Sequence, residues 1–177
     1  MASNPVGIGR YDLSMRLLHW LMAIIILGLI ASGLLEDFIP PGIKKDVFSL
    51  HKSFGITALG LWLLRLWLRA KRGVPAYPAS MPAADQRMAK AAILGFYVSM
   101  LLMPLSGWLM SNSKGRDVAW FGFDLPHLVG EDEFIRAITR PMHSYVGYFL
   151  LVLIAVHVLA VVKHHMKDKL PIIRRMM

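Results

Sequence analysis

The sequence predicts an all-α integral membrane protein, a four-helix bundle with both termini in the cytoplasm. Three observations predict it. Four stretches are apolar for about the 20 residues that a helix needs to cross a bilayer. Hydrophobic residues make up 56% of the 177-residue chain and charged residues only 18%, a balance outside the usual soluble range. The remaining charges sort by side of the membrane. The length allows one domain, taken as residues 1–177.

The first span is expected over 17–35, interrupted by His19 and Ser32. Its basic start, Arg10 and Arg16, and the small residues Ala31, Ser32 and Gly33 also resemble a cleaved signal peptide. The apolar run is longer than an ordinary signal core, and cleavage would discard a histidine, so a retained span is expected. The second span, about 50–68, carries His51, Lys52 and Arg65. The third, about 91–110, has no charge, and Pro104 is placed to kink it. The fourth, about 142–162, contains His143 and His157. Proline and glycine mark the connections at Pro40-Pro41-Gly42, from Gly73 to Pro82, and along the longer stretch from Ser111 to Pro141. Pro171 follows the last helix. No internal repeat or low-complexity segment interrupts this pattern.

Alternating spans put the N-terminus, the second connection and the C-terminus on one side. That side holds thirteen Lys and Arg against three acids; the other holds seven against eight. Excess Lys and Arg belong in the cytoplasm, which sets the expected orientation. Trp20 and Trp67 then fall near the inner boundary and Trp108 and Trp120 near the outer, as interfacial belts do. The formal charge of +9 does not indicate nucleic acid, because the charges flank apolar runs instead of forming a basic stripe. The chain has no cysteine. That excludes disulfides, iron–sulfur clusters, thiol-ligated zinc and covalent haem attachment through C-x-x-C-H.

Histidines inside a membrane are costly and mark function. Orientation gives each a level. His19 begins an outward helix and lies at the inner level. His51 begins an inward helix and lies at the outer level. His143 is likewise outer, and His157 lies 14 residues further in, roughly 21 Å along the helix and on the same face. Two pairs follow: His19 with His157, and His51 with His143. Two imidazoles at each of two levels are what two six-coordinate haems require. A histidine bonded only to a neighbouring helix is the alternative for any one of them. Gly55 and Gly147 lie one turn after His51 and His143, and Gly33 lies 14 residues after His19. Each fits either close approach of a flat macrocycle or ordinary helix packing. Arg65, 14 residues after His51, fits either a propionate partner at the inner level or a side chain snorkelling to headgroups. Arg16, one turn before His19, has the same two readings.

Several stretches carry a family likeness: Arg16-Leu17-Leu18-His19-Trp20, Leu50-His51-Lys52-Ser53-Phe54-Gly55-Ile56, Ser106-Gly107-Trp108, Met142-His143-Ser144-Tyr145-Val146-Gly147-Tyr148, and His157 through Lys163-His164-His165. In order and spacing, from about Tyr11 to the end, the chain resembles the bacterial cytochrome b561 family, related to the b-type cytochrome subunits of nickel hydrogenases. The resemblance implies a multi-pass di-haem b cytochrome of the bacterial inner membrane, with His19, His51, His143 and His157 as axial iron ligands. It also implies a link to ubiquinone or ubiquinol. One departure stands out: members often carry a histidine early in the third helix, where alignment through Ser106-Gly107 puts Ile93. That puts a quinone or proton role attached to that histidine in doubt. One branch resembles a superoxide:ubiquinone oxidoreductase.

The leading functional reading is therefore transmembrane electron transfer through two b-type haems, with an electron carrier favoured over an enzyme. Superoxide oxidation is an alternative, since Lys52, Lys44, Lys45, Lys114, Arg116 and Arg140 on the outer side could draw an anion, although eight outer acids oppose general steering. A haem-bearing anchor for a peripheral dehydrogenase is another, with Trp120, Phe121 and Phe123 as its contact with a redox protein; an ordinary loop lying on lipid headgroups explains the same aromatics. A haem-free structural membrane protein is the last. His164 and His165 fit a pH-sensing or quinone-protonating role, or simply a solvated basic helix end. His127 carries no reading.

Overall fold

The computed structural model describes residues 9–170 and 172–177. It is all-helical apart from one small hairpin. The helices are α1 (Leu13–Leu34), α2 (Pro41–Arg72), α3 (Ala83–Asn112) and α4 (Glu133–Met166). Each is long and apolar enough to cross a membrane. Short 3-10 turns occupy Glu36–Phe38 and Ile172–Arg175. Pro171, expected after the last helix, lies outside the described residues.

Every helix begins before its expected span, and all but α1 also run past its end, because apolarity ends at the hydrocarbon boundary while backbone hydrogen bonding does not. α2 starts at Pro41, where a proline at the first helical position sacrifices only an N–H that would have had no partner. α4 starts eight residues before Pro141, the expected end of the preceding loop. The Asp132 carboxylate caps it by accepting from the Phe134 and Ile135 N–H groups. Pro141 and Pro104 both lie inside helices.

The packing is sequential. α1 packs on α2, α2 on α3, and α3 most extensively on α4. Among the described residues α4 is not closely packed on α1 or α2. A core of Tyr11, Met15, Leu18 and Met22 meets Trp62 and Leu68 between α1 and α2. Large apolar side chains such as Ile24, Leu63, Leu94 and Leu159 point outward, as lipid contact requires.

The two ends of the bundle differ. At one end the termini meet. The Tyr11 N–H donates to the Arg175 carbonyl (3.1 Å), and the Trp20 indole donates to the Met176 carbonyl (2.8 Å). The Arg175 guanidinium is buried. It donates to the Pro75 and Ala76 carbonyls, both at 2.6 Å, and lies over the Tyr11 and Tyr77 rings. At the opposite end, β1 (Ala119–Trp120) pairs antiparallel with β2 (Phe123–Asp124). Phe121 and Gly122 form the turn with φ of 47° and 94°, the left-handed pair of a type I′ hairpin. Glycine adopts this freely, whereas phenylalanine does so at a cost. Two contacts offset that cost: the Phe121 N–H donates to Ser53 Oγ (3.1 Å), and its ring stacks edge-on against Phe54. The Trp120 indole donates to Thr57 (3.0 Å), so the whole hairpin lies along α2.

Candidate functional site

The four span histidines come together as two facing pairs. His19 of α1 faces His157 of α4 with ring centroids 6.4 Å apart, at the termini end. His51 of α2 faces His143 of α4 at 6.3 Å, at the hairpin end. The rings cross at 65° and 63°. These are the pairs expected from depth. They meet because α4 stands off from α1 and α2, and the imidazoles reach across the interval. An ion held by two imidazole nitrogens, each about 2 Å away, sets ring centroids about 6 Å apart. The donor set therefore fits a haem iron at each level.

The hairpin-end rings are fixed by hydroxyls. Ser32 Oγ donates its one proton to the Leu29 carbonyl (2.9 Å), so it meets His51 Nδ1 at 2.7 Å as an acceptor. Ser106 Oγ donates to the Met103 carbonyl (2.9 Å) in the same way. The His143 Nδ1–H then points at two acceptors, Ser106 Oγ and the Met103 carbonyl, each at 3.0 Å. With the hydroxyls so oriented the proton lies on Nδ1 of each ring, and the unprotonated Nε2 is left free to ligate a metal. Gly107 lies against the same ring. A Cβ there would come within 3.1 Å of His143 Cε1, so a side chain would displace the imidazole. Of the glycines singled out from sequence, Gly33 lies beside His51 and Gly147 packs on Met103. Among the described residues a Cβ at Gly55 would meet nothing within 4 Å, which fits the approach of a flat group.

The termini-end rings have aromatic neighbours instead. Trp20 lies 5.4 Å from His19, and Phe96 lies 5.6 Å from His157. The half-buried Arg65 is within electrostatic reach of both rings and forms no ion pair among the described residues. Arg16 has a buried Nε with no acceptor among the described residues. An unpartnered guanidinium donor at this level fits the carboxylates of a haem edge.

The remaining candidates separate from the histidine pairs. Lys52 Nζ donates to the Asp117 carbonyl (2.6 Å), tying α2 to the connection between α3 and α4. His164 is buried and bonds Asp168 at 2.7 Å; Lys163 lies 3.8 Å from both Asp168 and Asp85. It is thus part of an ion network rather than a solvated helix end. His165 is exposed, and exposed His127 bonds Asp117 (2.7 Å). Ile93 is half-buried in α3. Sequence reasoning missed Ser32, Ser106, Met103 and Gly107 as supports of the rings. The signals for them were Ser32 interrupting the first span and the Ser106-Gly107 pair in the third.

Four apolar helices with histidines facing one another across the bundle are the arrangement of a membrane-embedded b-type cytochrome. Residues 10–177 match the family model described as prokaryotic cytochrome b561, and the chain belongs to that family. It is 29% identical to "Cytochrome b561 homolog 2" of Escherichia coli (strain K12), over 95% of this chain and 91% of that protein. It is 25% identical to "Cytochrome b561 homolog 1" of the same organism, over 95% and 97%. It is 24% identical to "Probable superoxide oxidase CybB" of Yersinia pestis, over 90% and 91%. Membership and the four spans make this a multi-pass protein of the bacterial inner membrane that transfers electrons using b-type haem.

Proposed function

We propose that the chain is a single membrane domain that carries two b-type haems and passes electrons across the membrane to or from the quinone pool. His19 and His157 hold one haem; His51 and His143 hold the other. The observation that carries the reading is the pair of ring spacings, 6.4 and 6.3 Å, at two levels of one bundle. Each bound haem supplies a one-electron couple. The chain's own residues do the rest. The histidines would hold the iron through imidazole nitrogens, Nε2 at the hairpin end; Arg65 and Arg16 would neutralise propionates at the termini end, and Gly55 would leave room for the macrocycle edge at the hairpin end. Both termini lie in the cytoplasm, on the charge asymmetry of the connections. Ubiquinone or ubiquinol reaches the bundle from the lipid.

The test is a haem-to-protein ratio with a reduced-minus-oxidised spectrum of the purified protein. Two haems are expected. Replacing His51 or His143 should remove the same spectral component, and replacing His19 or His157 should remove the other. Loss of one component by both the His19 and His143 variants would break the pairing.

A second reading, superoxide oxidation, is favoured by one relative's name and by Lys52 beside His51. Superoxide generated outside liposomes should then reduce the haems quickly. Salt and Lys52→Gln should both slow that reduction, because screening and charge loss weaken steering. Fast reduction by quinol with none by superoxide removes the second reading.

A further inference from the structure

We infer that the two histidine pairs are built to be unequal, and that the hairpin-end pair, His51 and His143, holds the lower-potential haem. The inference rests on the two-haem reading above and adds the order of potentials and the residues that set it.

Hydrogen bonding supplies the first difference. His51 Nδ1–H donates to Ser32 Oγ, whose own proton is committed to the Leu29 carbonyl. His143 Nδ1–H donates to Ser106 Oγ and to the Met103 carbonyl. An acceptor on the far nitrogen raises the basicity of the ligating one. A more basic ligand favours the oxidised, more positive metal and lowers its potential. His19 and His157 have no such acceptor among the described residues; their neighbours are the Trp20 and Phe96 rings.

Charge supplies the second difference, and it has the same sign. Arg65 is half-buried on α2 fourteen residues from His51, the same separation as His143 from His157, so it stands at the level of the termini-end rings, with no ion pair among the described residues. A cation favours the reduced state. Glu36 lies in the turn that follows α1, three residues past Gly33, whose Cβ position is 4.0 Å from the His51 ring, and its carboxylate favours the oxidised state at that end. Its ion pair with Lys44 (3.3 Å) is exposed and weakens this effect without reversing it. Lys52 opposes the trend, but its ammonium donates to the Asp117 carbonyl in the connection between α3 and α4, and the side chain is only half-buried, which weakens its effect. With this order, one-electron transfer from a haem held by His51 and His143 to one held by His19 and His157 would be downhill.

The experiment is an optical redox titration of the haem-loaded full chain in lipid nanodiscs, which should give two one-electron steps. Ser32→Ala should move the lower step upward and leave the higher step in place. Ser32→Thr keeps an acceptor and should restore the original lower step. Ser106→Ala should produce a smaller upward shift, because the Met103 carbonyl remains. If Ser32 only oriented the ring, its removal would alter haem retention without an upward shift, and the inference would fail. It also fails if Ser32→Ala moves the higher step, or moves the lower step downward. Should Ser32→Ala not retain haem, Glu36→Gln decides: the lower step must rise, and an unmoved step overturns the order. A wild-type haem content other than two overturns the two-haem reading itself, and the order with it.

Discussion

Arg65 lies in the last turn of the expected second span, 50–68, and is half-buried on α2. On the two-haem reading, its level on α2, fourteen residues from His51, is that of His19 and His157, which gives the guanidinium a use. Arg65→Gln should lower the potential of the termini-end haem, by about 60 mV if the charge contributes about 1.4 kcal/mol to the reduced state. Redox titration reads this directly, and unmoved steps would instead favour snorkelling. The histidines were legible at this scale because helical rise is uniform: a position in a span converts to a depth with no knowledge of packing. Ser32, Ser106 and Gly107 were not legible. Their roles depend on how α1 and α3 are rotated against the helices that carry the histidines, and a serine in an apolar run looks the same whichever way it turns. Arg16 stayed open in sequence for the same reason; its buried, unpartnered Nε appears only once the helices are placed.

At the scale of elements, the start of α1 depends on one cap. The Asp12 carboxylate accepts from the Ser14 hydroxyl, from the Met15 N–H (3.1 Å) and from Arg72 (2.5 Å). The Ser14 bond contributes most to holding this carboxyl below its ordinary value of 3.8. A lowered folded value means that the ionised cap adds stability above the unfolded value, and that this is lost as pH falls through the folded one. The stability advantage of wild type over Asp12→Asn should therefore be full at neutral pH and shrink below about pH 4. Thermal melts of the two proteins across that range check it; a constant difference would mean that Asp12 acts only as a neutral cap. The four helices were legible as elements, but their ends were not. The apolar signal of α4 begins near Met142, while its backbone begins at Glu133 because Asp132 supplies a cap. The hairpin left little trace in sequence. Its turn places a phenylalanine at positive φ, held there by Ser53 and Phe54 from α2.

At the scale of the whole molecule, Arg175 joins three distant parts of the chain. It binds the connection between α2 and α3 through Pro75 and Ala76, and the N-terminal segment through Tyr11. Arg175→Ala leaves two carbonyls without their donor and should cost about 3 kcal/mol. A lower melting temperature in detergent, with both haem components retained at low temperature, is the expected result. An unchanged melting temperature would show that the termini meet without holding the bundle. The four-span architecture was readable from apolarity, but this clasp was not, because nothing in a sequence signals a contact between positions a hundred residues apart. The stand-off of α4 was equally hidden, and it has a consequence of its own. His143 and His157 stand on the same rod, separated by fourteen increments of helical rise. On the two-haem reading, a thicker or thinner bilayer tilts that rod but does not rescale it. The interval an electron must cross is gauged by the peptide backbone, and the lipid has no say in it.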